Sequence, residues 1–377
     1  VLNPDIGLPR GRAATSVAAM SSTAASQPVL IEPLPPHRLD EAALFACLRE
    51  RLDGFGEPAR VRQFQGGQSN PTYLIETPDR RFVLRKKPPG PLLPSAHQVE
   101  REHRVLSALA GSGVPAPRTR LLIEDPSVIG TAFYVMDFVG GRVLTDTTLS
   151  GLRRDERRPT YEALATTLAA LHRIDWRARG LSDFGKADRY CRRQVDRWTK
   201  QYQAARIDDI PAMESLTAWL NEHPEPEDEG AVVHGDFRLG NVIWAEDRPE
   251  IVAVLDWELA TLGHPLADLA YLALPYHLPA VGPMPGIGHL DLAAENLPPE
   301  AEFLETYRRA VGRADVPHWP YFLALSLFRL AGICQGVYAR ALAGNAADRS
   351  AHAMAAVARG AADLGWAIAS GARPVAA

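Results

Sequence analysis

The chain has 377 residues, with 41 Lys and Arg against 45 Asp and Glu and a formal net charge of -4. That length is long for a single core, so two lobes are expected. A near-neutral balance with no dominant basic patch argues against a nucleic-acid partner. The three cysteines, Cys47, Cys191 and Cys334, are scattered and fit neither a disulfide framework nor a zinc pattern, so a reducing cytoplasm is the expected compartment. No apolar run approaches the ~18–20 residues of a bilayer span, so no membrane span is expected.

Residues 1–37 read as a leader, Ala/Ser/Thr-rich to about Ser26 and Pro-rich thereafter. A transit peptide is one reading of Arg10, Arg12 and the scarcity of acids, with Met20 as an internal start. Disorder is the simpler expectation, since aromatics and periodicity are lacking. In "LDEAALFACLRERL", Leu44, Phe45, Leu48 and Leu52 recur at helical spacing. "RVRQFQGGQSNPTYLIET" and "RRFVLRKKPPG" follow, rich in β-formers and punctuated by Gly and Pro, and read as a hairpin. Residues 96–110 place Val99, His103, Leu106 and Leu109 on one helical face, and "GVPAPRTRLLIED" and "AFYVMDFVGG" read as two more strands. After Gly141 the pattern turns helical. "YEALATTLAALHRID" carries Leu164, Leu168 and Leu171 at helical spacing, then come short strands around "VVHGDFRLGNVIWAEDRPEIVAVLDWELATLGHPLADLA", and residues 318–369 are again mostly helical. The expected fold class is α+β and bilobal: a small strand-rich N-lobe over residues 38–140, a larger mostly helical C-lobe over residues 141–377, and a cleft between them.

The chemistry concentrates in "HGDFRLGN" and "VLDWE". Phosphoryl transfer needs a carboxylate that orients the attacking hydroxyl and takes its proton, together with oxygen ligands for Mg²⁺. Asp236, followed five positions later by Asn241, supplies both, in the H-x-D-x-x-x-x-N spacing that protein kinases use. Asp256, at the end of the next apolar strand, stands where a second metal-binding carboxylate belongs. Asp, Asn and Gly also punctuate ordinary turns, so any one of them alone says little. The ordered set is what carries the assignment.

These segments resemble the aminoglycoside-phosphotransferase-like branch of the protein-kinase-like fold, over almost the whole chain after about Leu39. "FYVMDFVGG" looks like that family's hinge. "FVLRKKPPGPLLPSAHQVEREHRVLSAL" and "FLALSLFRLAGICQGVYARALAGNAA" are similar to the kinase-like half of the acyl-CoA dehydrogenase fusion proteins and to its stand-alone bacterial relatives. The resemblance implies an ATP- and Mg²⁺-dependent phosphotransferase acting on an alcohol group of a small molecule, with a hydroxyacyl-CoA as the acceptor.

Nucleotide contacts follow on the same basis. "GGQSNPTY" brings Gly66 and Gly67, whose backbone N–H groups can approach phosphates, and Ser69 and Asn70, whose side chains can add bonds; an ordinary hairpin turn is the plainer reading. The next strand departs from the kinase pattern. Where a lysine pairs with a helix glutamate, "FVLR" places Arg85, and the resemblance assigns Glu102 as its partner, with Glu100 on the wrong helix face. Arg85 and Lys86 cannot share one face of a regular strand. Adenine is expected to bond to hinge backbone near Asp137 and Phe138.

Other polar residues are expected to be structural. Asp268 reads as a helix-start cap or brace, His234 as a support for the catalytic loop, and His172 as a core histidine. His264, His277 and His289 lack metal-ligand spacing. Arg329 and Gln335 interrupt an apolar helix, and could line a substrate pocket or, more simply, bond to nearby carbonyls. The Pro/Gly-rich stretch "LPAVGPMPGIGHLDLAAENLPP" suits a substrate-side loop. An aminoglycoside kinase and a catalytically silent nucleotide-binding module remain as alternatives. A protein kinase does not fit, because Asp256 is followed by Trp257 and Glu258 and no D-F-G or A-P-E segment appears.

Overall fold

The structure is a computed structural model, and it describes residues 29–65, 70–89, 97–223, 226–280, 282, 284–342 and 350–375. The chain forms two compact units. The first holds residues 29–104 and 118–138, and the second holds residues 105–117 and 139–375.

In the first unit, α1 (Glu41–Arg51) starts where the Asp40 carboxylate accepts the Ala43 N–H at 3.0 Å. Six strands follow the order β1-β2-β3-β4-β6-β5, every neighbour antiparallel: β1 (Leu30–Ile31), β2 (Arg60–Phe64), β3 (Thr72–Glu76), β4 (Arg81–Lys86), β5 (Thr119–Ile123) and β6 (Phe133–Asp137). Period-2 alternation decides which side of β4 is apolar. Phe82 and Leu84 join Tyr73, Ile75, Val61, Phe133 and Val135 in a core that also takes Leu44 and Leu48 of α1. A further helix, α2 (Val99–Leu109), begins in this unit and continues into the second; it buries Val99, Glu102, Val105, Leu106 and Leu109, while His103 is only half-buried.

Two expectations need correction here. The anticipated disordered leader reached residue 37, and its residues 1–28 lie outside the described residues. Residues 29–37 are built into the first unit instead. Leu30 and Ile31 pair with Phe64 and Gln63, the Gln63 amide oxygen accepts the Leu34 N–H at 3.0 Å, and the Tyr73 hydroxyl donates to the His37 carbonyl at 2.6 Å. A Pro-rich composition hid this strand addition, because its bonds are supplied by the partner strand rather than by local pattern. The stretch 105–117, expected within the N-lobe, belongs to the second unit. There Arg179 donates to the Ala108 and Ala110 carbonyls at 2.7 and 2.9 Å, and the Pro115 carbonyl accepts the Val254 N–H at 2.9 Å.

The second unit carries α3 (Arg154–His172), α4 (Tyr190–Ala204), α5 (Pro211–Glu222), α6 (Pro265–Ala273), α7 (Glu300–Val311), α8 (Trp319–Arg340) and α9 (Ser350–Ala369). Two small antiparallel ribbons lie between α5 and α6 in sequence: β7 (Ala231–Val233) with β10 (Thr261–Gly263), and β8 (Val242–Trp244) with β9 (Ile251–Val254). α8 packs against α4, α5, α6 and α9. It is long and apolar enough to cross a membrane by length and composition, unlike the expectation from the sequence, but 67% of its most apolar window is buried inside the protein. That burial explains the composition as that of a core helix.

His264 caps α6, its Nδ1 accepting the Leu266 N–H at 3.2 Å. Burial pushes its pKa down to about 4 against the pull of Glu229, with Arg313 and His172 adding to the fall. The unfolded chain takes up a proton near pH 6.5 and the folded one resists it. This contribution is therefore complete above about pH 6.5 and is lost as pH falls toward 4, by roughly 2–4 kcal/mol. Denaturant titrations from pH 7 to 4.5 are expected to show this slope and to show a shallower one for His264→Asn, which keeps a capping oxygen without titrating. An unchanged slope in the variant would refute the assignment.

Candidate active site

The first unit contributes a buried carboxylate network. Arg85 Nε lies 3.3 Å from Glu102 Oε2, and Glu102 is 1% exposed. Glu102 also accepts from Asn70 Nδ2 at 2.6 Å and from the Tyr134 hydroxyl at 3.0 Å. Glu100, on another face of α2, pairs with Lys87 instead. Lys86 points to the opposite, apolar side, where burial lowers its pKa. Asn70 is fully buried, with its amide spent on Glu102 and its oxygen 3.2 Å from His97 Nδ1, so it steadies the ion pair. Gly66, Gly67 and Ser69 lie outside the described residues. At the hinge, the Phe138 N–H is already given to the Arg81 carbonyl at 3.2 Å, and the Arg81 guanidinium sits 4.1 Å over the Phe138 ring. Arg120 grips Asp137 with two bonds of 2.7 Å.

The second unit brings Asp236, Asn241 and Asp256 to one end of its strand ribbons. β7 ends at Val233, and the chain then enters a loop in which Gly235 has φ 81°, a conformation that favours glycine. A Cβ there would meet the Leu259 carbonyl oxygen at 2.8 Å. Asn241 Nδ2 donates to Asp236 Oδ2 and to the Asp236 carbonyl, both at 2.8 Å. The amide nitrogen thus fixes the carboxylate and leaves the amide oxygen of Asn241 as its remaining donor atom to a cation. Asp256 follows β9 and adopts φ 64°, uncommon outside glycine and a feature of strained functional sites.

His234 supports the loop as expected: its Nε2 lies 2.8 Å from the Leu255 carbonyl, and its Nδ1 accepts the Asp236 N–H at 3.2 Å. Asp268 does something different from the anticipated cap. His264 holds the start of α6, while Asp268, on the first turn, reaches back to accept the His234 N–H at 2.6 Å and the Gly235 N–H at 2.9 Å. Burial opposes its charge, but the neighbouring His172 imidazole, His234 and the loop N–H keep its pKa below the ordinary value. His172 is a core residue bonded to the Tyr307 hydroxyl at 2.7 Å. Arg329 bonds to a carbonyl, that of Gly235. Gln335 is buried. Among the described residues no His, Cys, Asp and Glu group has a metal-binding arrangement of three or more.

Two residues at the loop escaped the sequence reading. Arg238 Nε lies 3.3 Å from Asp236 Oδ2, and Tyr271 of α6 lies close enough to feel the Asp236 charge. Burial first, then the charge of Asp236, raises the Tyr271 pKa, so its hydroxyl stays a donor. Arg238 could have been noticed from its position two residues after Asp236. Tyr271 lies one helical turn beyond Asp268, on the same face, which is the only local signal for it.

Asp236 is fixed by the Asn241 amide, and Asp256 follows β9. Residues 60–323 match the phosphotransferase enzyme family, and the chain belongs to that family, whose members transfer phosphate to hydroxyl groups. It is 45% identical over 334 residues to human acyl-CoA dehydrogenase family member 11, an alignment covering 86% of this chain and 42% of that protein. The chain therefore spans about two-fifths of the length of the curated relatives it matches. A solved protein from Ralstonia eutropha, described as a candidate aminoglycoside phosphotransferase, is 43% identical, with a TM-score of 0.82 over 89% of this chain and 99% of that one. An aminoglycoside phosphotransferase in ternary complex with AMP-PNP and hygromycin B is 18% identical with a TM-score of 0.55, covering 87% of this chain and 98% of that one; it shares the fold alone. The protein-kinase-like phosphotransferase fold is established by these likenesses.

Proposed function

We propose that this chain transfers the γ-phosphoryl group of ATP to the hydroxyl of a hydroxyacyl-CoA. The observation that carries the reading is the carboxylate of Asp236, held at 2.8 Å by Asn241 and backed by Arg238. The acceptor oxygen attacks the γ-phosphorus, the bond from that phosphorus to the bridging oxygen breaks, ADP departs, and the acceptor proton passes to Asp236. Arg85, steadied by Glu102 and Asn70, is assigned to the phosphates, together with the backbone of Gly66 and Gly67 and the hydroxyl of Ser69. Hinge backbone near Phe138 is assigned to adenine. Residues 38–140 are read as the nucleotide-binding lobe, and residues 141–377 as the catalytic and substrate lobe.

The donor set suits Mg²⁺, which prefers oxygen ligands. Asn241 presents an amide oxygen once its nitrogen is spent on Asp236, and Asp256 presents a carboxylate. Bound there, the ion would neutralise phosphate charge. Three buried free cysteines fit a cytoplasmic setting.

Acyl-CoA as the acceptor class is supported by the fusion relatives' name and by charge. Arg238 and Arg329 stand beside Asp236, and among the described residues no carboxylate forms an ion pair with Arg329. Two guanidinium groups near the acceptor repel a polycationic aminoglycoside and suit a polyanionic thioester. The test is ADP release with Mg²⁺ across hydroxyacyl-CoAs of varied hydroxyl position and a set of aminoglycosides. Turnover is expected with a thioester and is expected to stop when the divalent ion is chelated. Turnover on an aminoglycoside and on no thioester would overturn the acceptor assignment.

A further inference from the structure

We propose that Arg329 is a positioning residue that sets the aim of the Asp236 carboxylate from α8, and this rests on the reading of Asp236 as the group that takes the acceptor proton. The Gly235–Asp236 peptide is the lever. Its carbonyl accepts from Arg329 Nη2. Its N–H goes to His234 Nδ1 at 3.2 Å, and the preceding N–H, that of Gly235, goes to Asp268 at 2.9 Å. Rotation of this peptide would swing the Cα–Cβ bond of Asp236, and the left-handed φ of Gly235 leaves little besides hydrogen bonds to resist it.

Arg329 is itself fixed. Its guanidinium carbon lies 4.7 Å from the centre of the Tyr271 ring and 5.6 Å from that of Trp198. Tyr271 in turn lies within the field of the Asp236 carboxylate, whose charge raises its pKa after burial does. One planar cation therefore bonds to the backbone carbonyl just before the carboxylate and packs on the tyrosine ring near it. Packing alone does not call for such a group. Phe328 and Leu330 flank it on an apolar helix, and a half-buried guanidinium costs desolvation that a Met or Leu would avoid. Its cost is recovered only if the loop needs the bond. Nothing in the local pattern of "HGDFRLGN" reveals this residue, which lies 94 positions from its carbonyl partner.

The test compares Arg329→Met, Arg329→Gln and Arg329→Lys in the full chain. Each is read by steady-state kinetics, thermal melting and hydrogen exchange of the peptide covering residues 232–242. Met removes the donor at similar length. Gln is too short to reach but stays polar, and it serves if Met does not fold. Lys retains a donor. In Met or Gln, kcat is expected to fall about 10–100-fold, with KM for ATP within about twofold, because a carboxylate misplaced by about 1 Å loses that much rate. Exchange in the 232–242 peptide is expected to quicken while the rest of the chain is unchanged, and Lys is expected to recover most of kcat. Wild-type kcat with unchanged loop exchange in a folded Met or Gln variant would overturn the proposal, as would a loss seen only in KM. Failure of the functional reading looks different: the wild-type chain would then show no turnover on any acceptor, while loop exchange would still report whether Arg329 holds the peptide.

Discussion

Asp236→Asn is expected to lower turnover about 10²–10⁴-fold, the usual contribution of a positioned proton acceptor, while the chain keeps its fold. The geometry makes this a clean substitution. Asp236 Oδ2 accepts from Asn241 Nδ2 at 2.8 Å and faces Arg238 Nε at 3.3 Å. An asparagine can turn its amide oxygen toward both and keep the shape of the site. What it loses is the negative charge and the basic lone pair. The Arg238 guanidinium then faces a neutral partner, which costs about 1 kcal/mol and a melting shift of a few degrees. KM for ATP is expected to change little, because neither Arg85 nor Glu102 is touched. Measured side by side, kcat on the best acceptor and the melting temperature separate chemistry from stability. Phosphate transfer at the wild-type rate would remove Asp236 from its assigned role.

What the sequence discloses and what it withholds follows from the range of each interaction. The catalytic loop is legible because Asp236, His234 and Asn241 sit within eight consecutive residues and hold one another, and their chemistry is written as spacing. The pairing of Arg85 with Glu102 is implied by the resemblance, and strand register and the turn of α2 are consistent with it. The strands of the first unit show the same clarity, since "TYLIE" and "RFVL" are rich in β-formers and set off by Gly and Pro. Three things stay hidden. Residues 29–37 join a sheet through bonds that a partner strand supplies. The helix α4 is covered with charged residues that mask a narrow buried stripe made by Tyr190, Cys191, Val195 and Tyr202. Arg329 reaches the Gly235 carbonyl and Tyr271 comes near Asp236 from other helices, and only tertiary packing brings them there. The role of Asp268 is an intermediate case: a carboxylate on a first helical turn reads as a cap, because the competing N–H groups belong to a distant loop.

Asp268→Ala carries the second large effect, on stability as well as rate. The side chain is 2% exposed and accepts two backbone N–H groups, from His234 at 2.6 Å and from Gly235 at 2.9 Å. His172 Nε2 lies 3.6 Å away. Truncation leaves both amides buried without an acceptor, at about 1–3 kcal/mol each, so the folded state is expected to lose roughly 3–5 kcal/mol. Asp268→Asn is nearly as costly, because one oxygen cannot serve both amides and the new NH₂ group confronts one of them. The pH sign is fixed by the depressed carboxyl pKa: this contribution is complete above the ordinary aspartate range and is lost as pH falls through the folded value. Wild type is therefore expected to lose part of its advantage over Asp268→Asn once pH falls below the ordinary aspartate range, and denaturant titrations at pH 7 and pH 3 measure that difference. Turnover should fall in whatever fraction of the variant still folds, since the two amides that Asp268 holds belong to the residues just before Asp236. A variant of wild-type stability at pH 7 would mean that the loop finds other acceptors for those amides, and that the brace from α6 is dispensable to the fold.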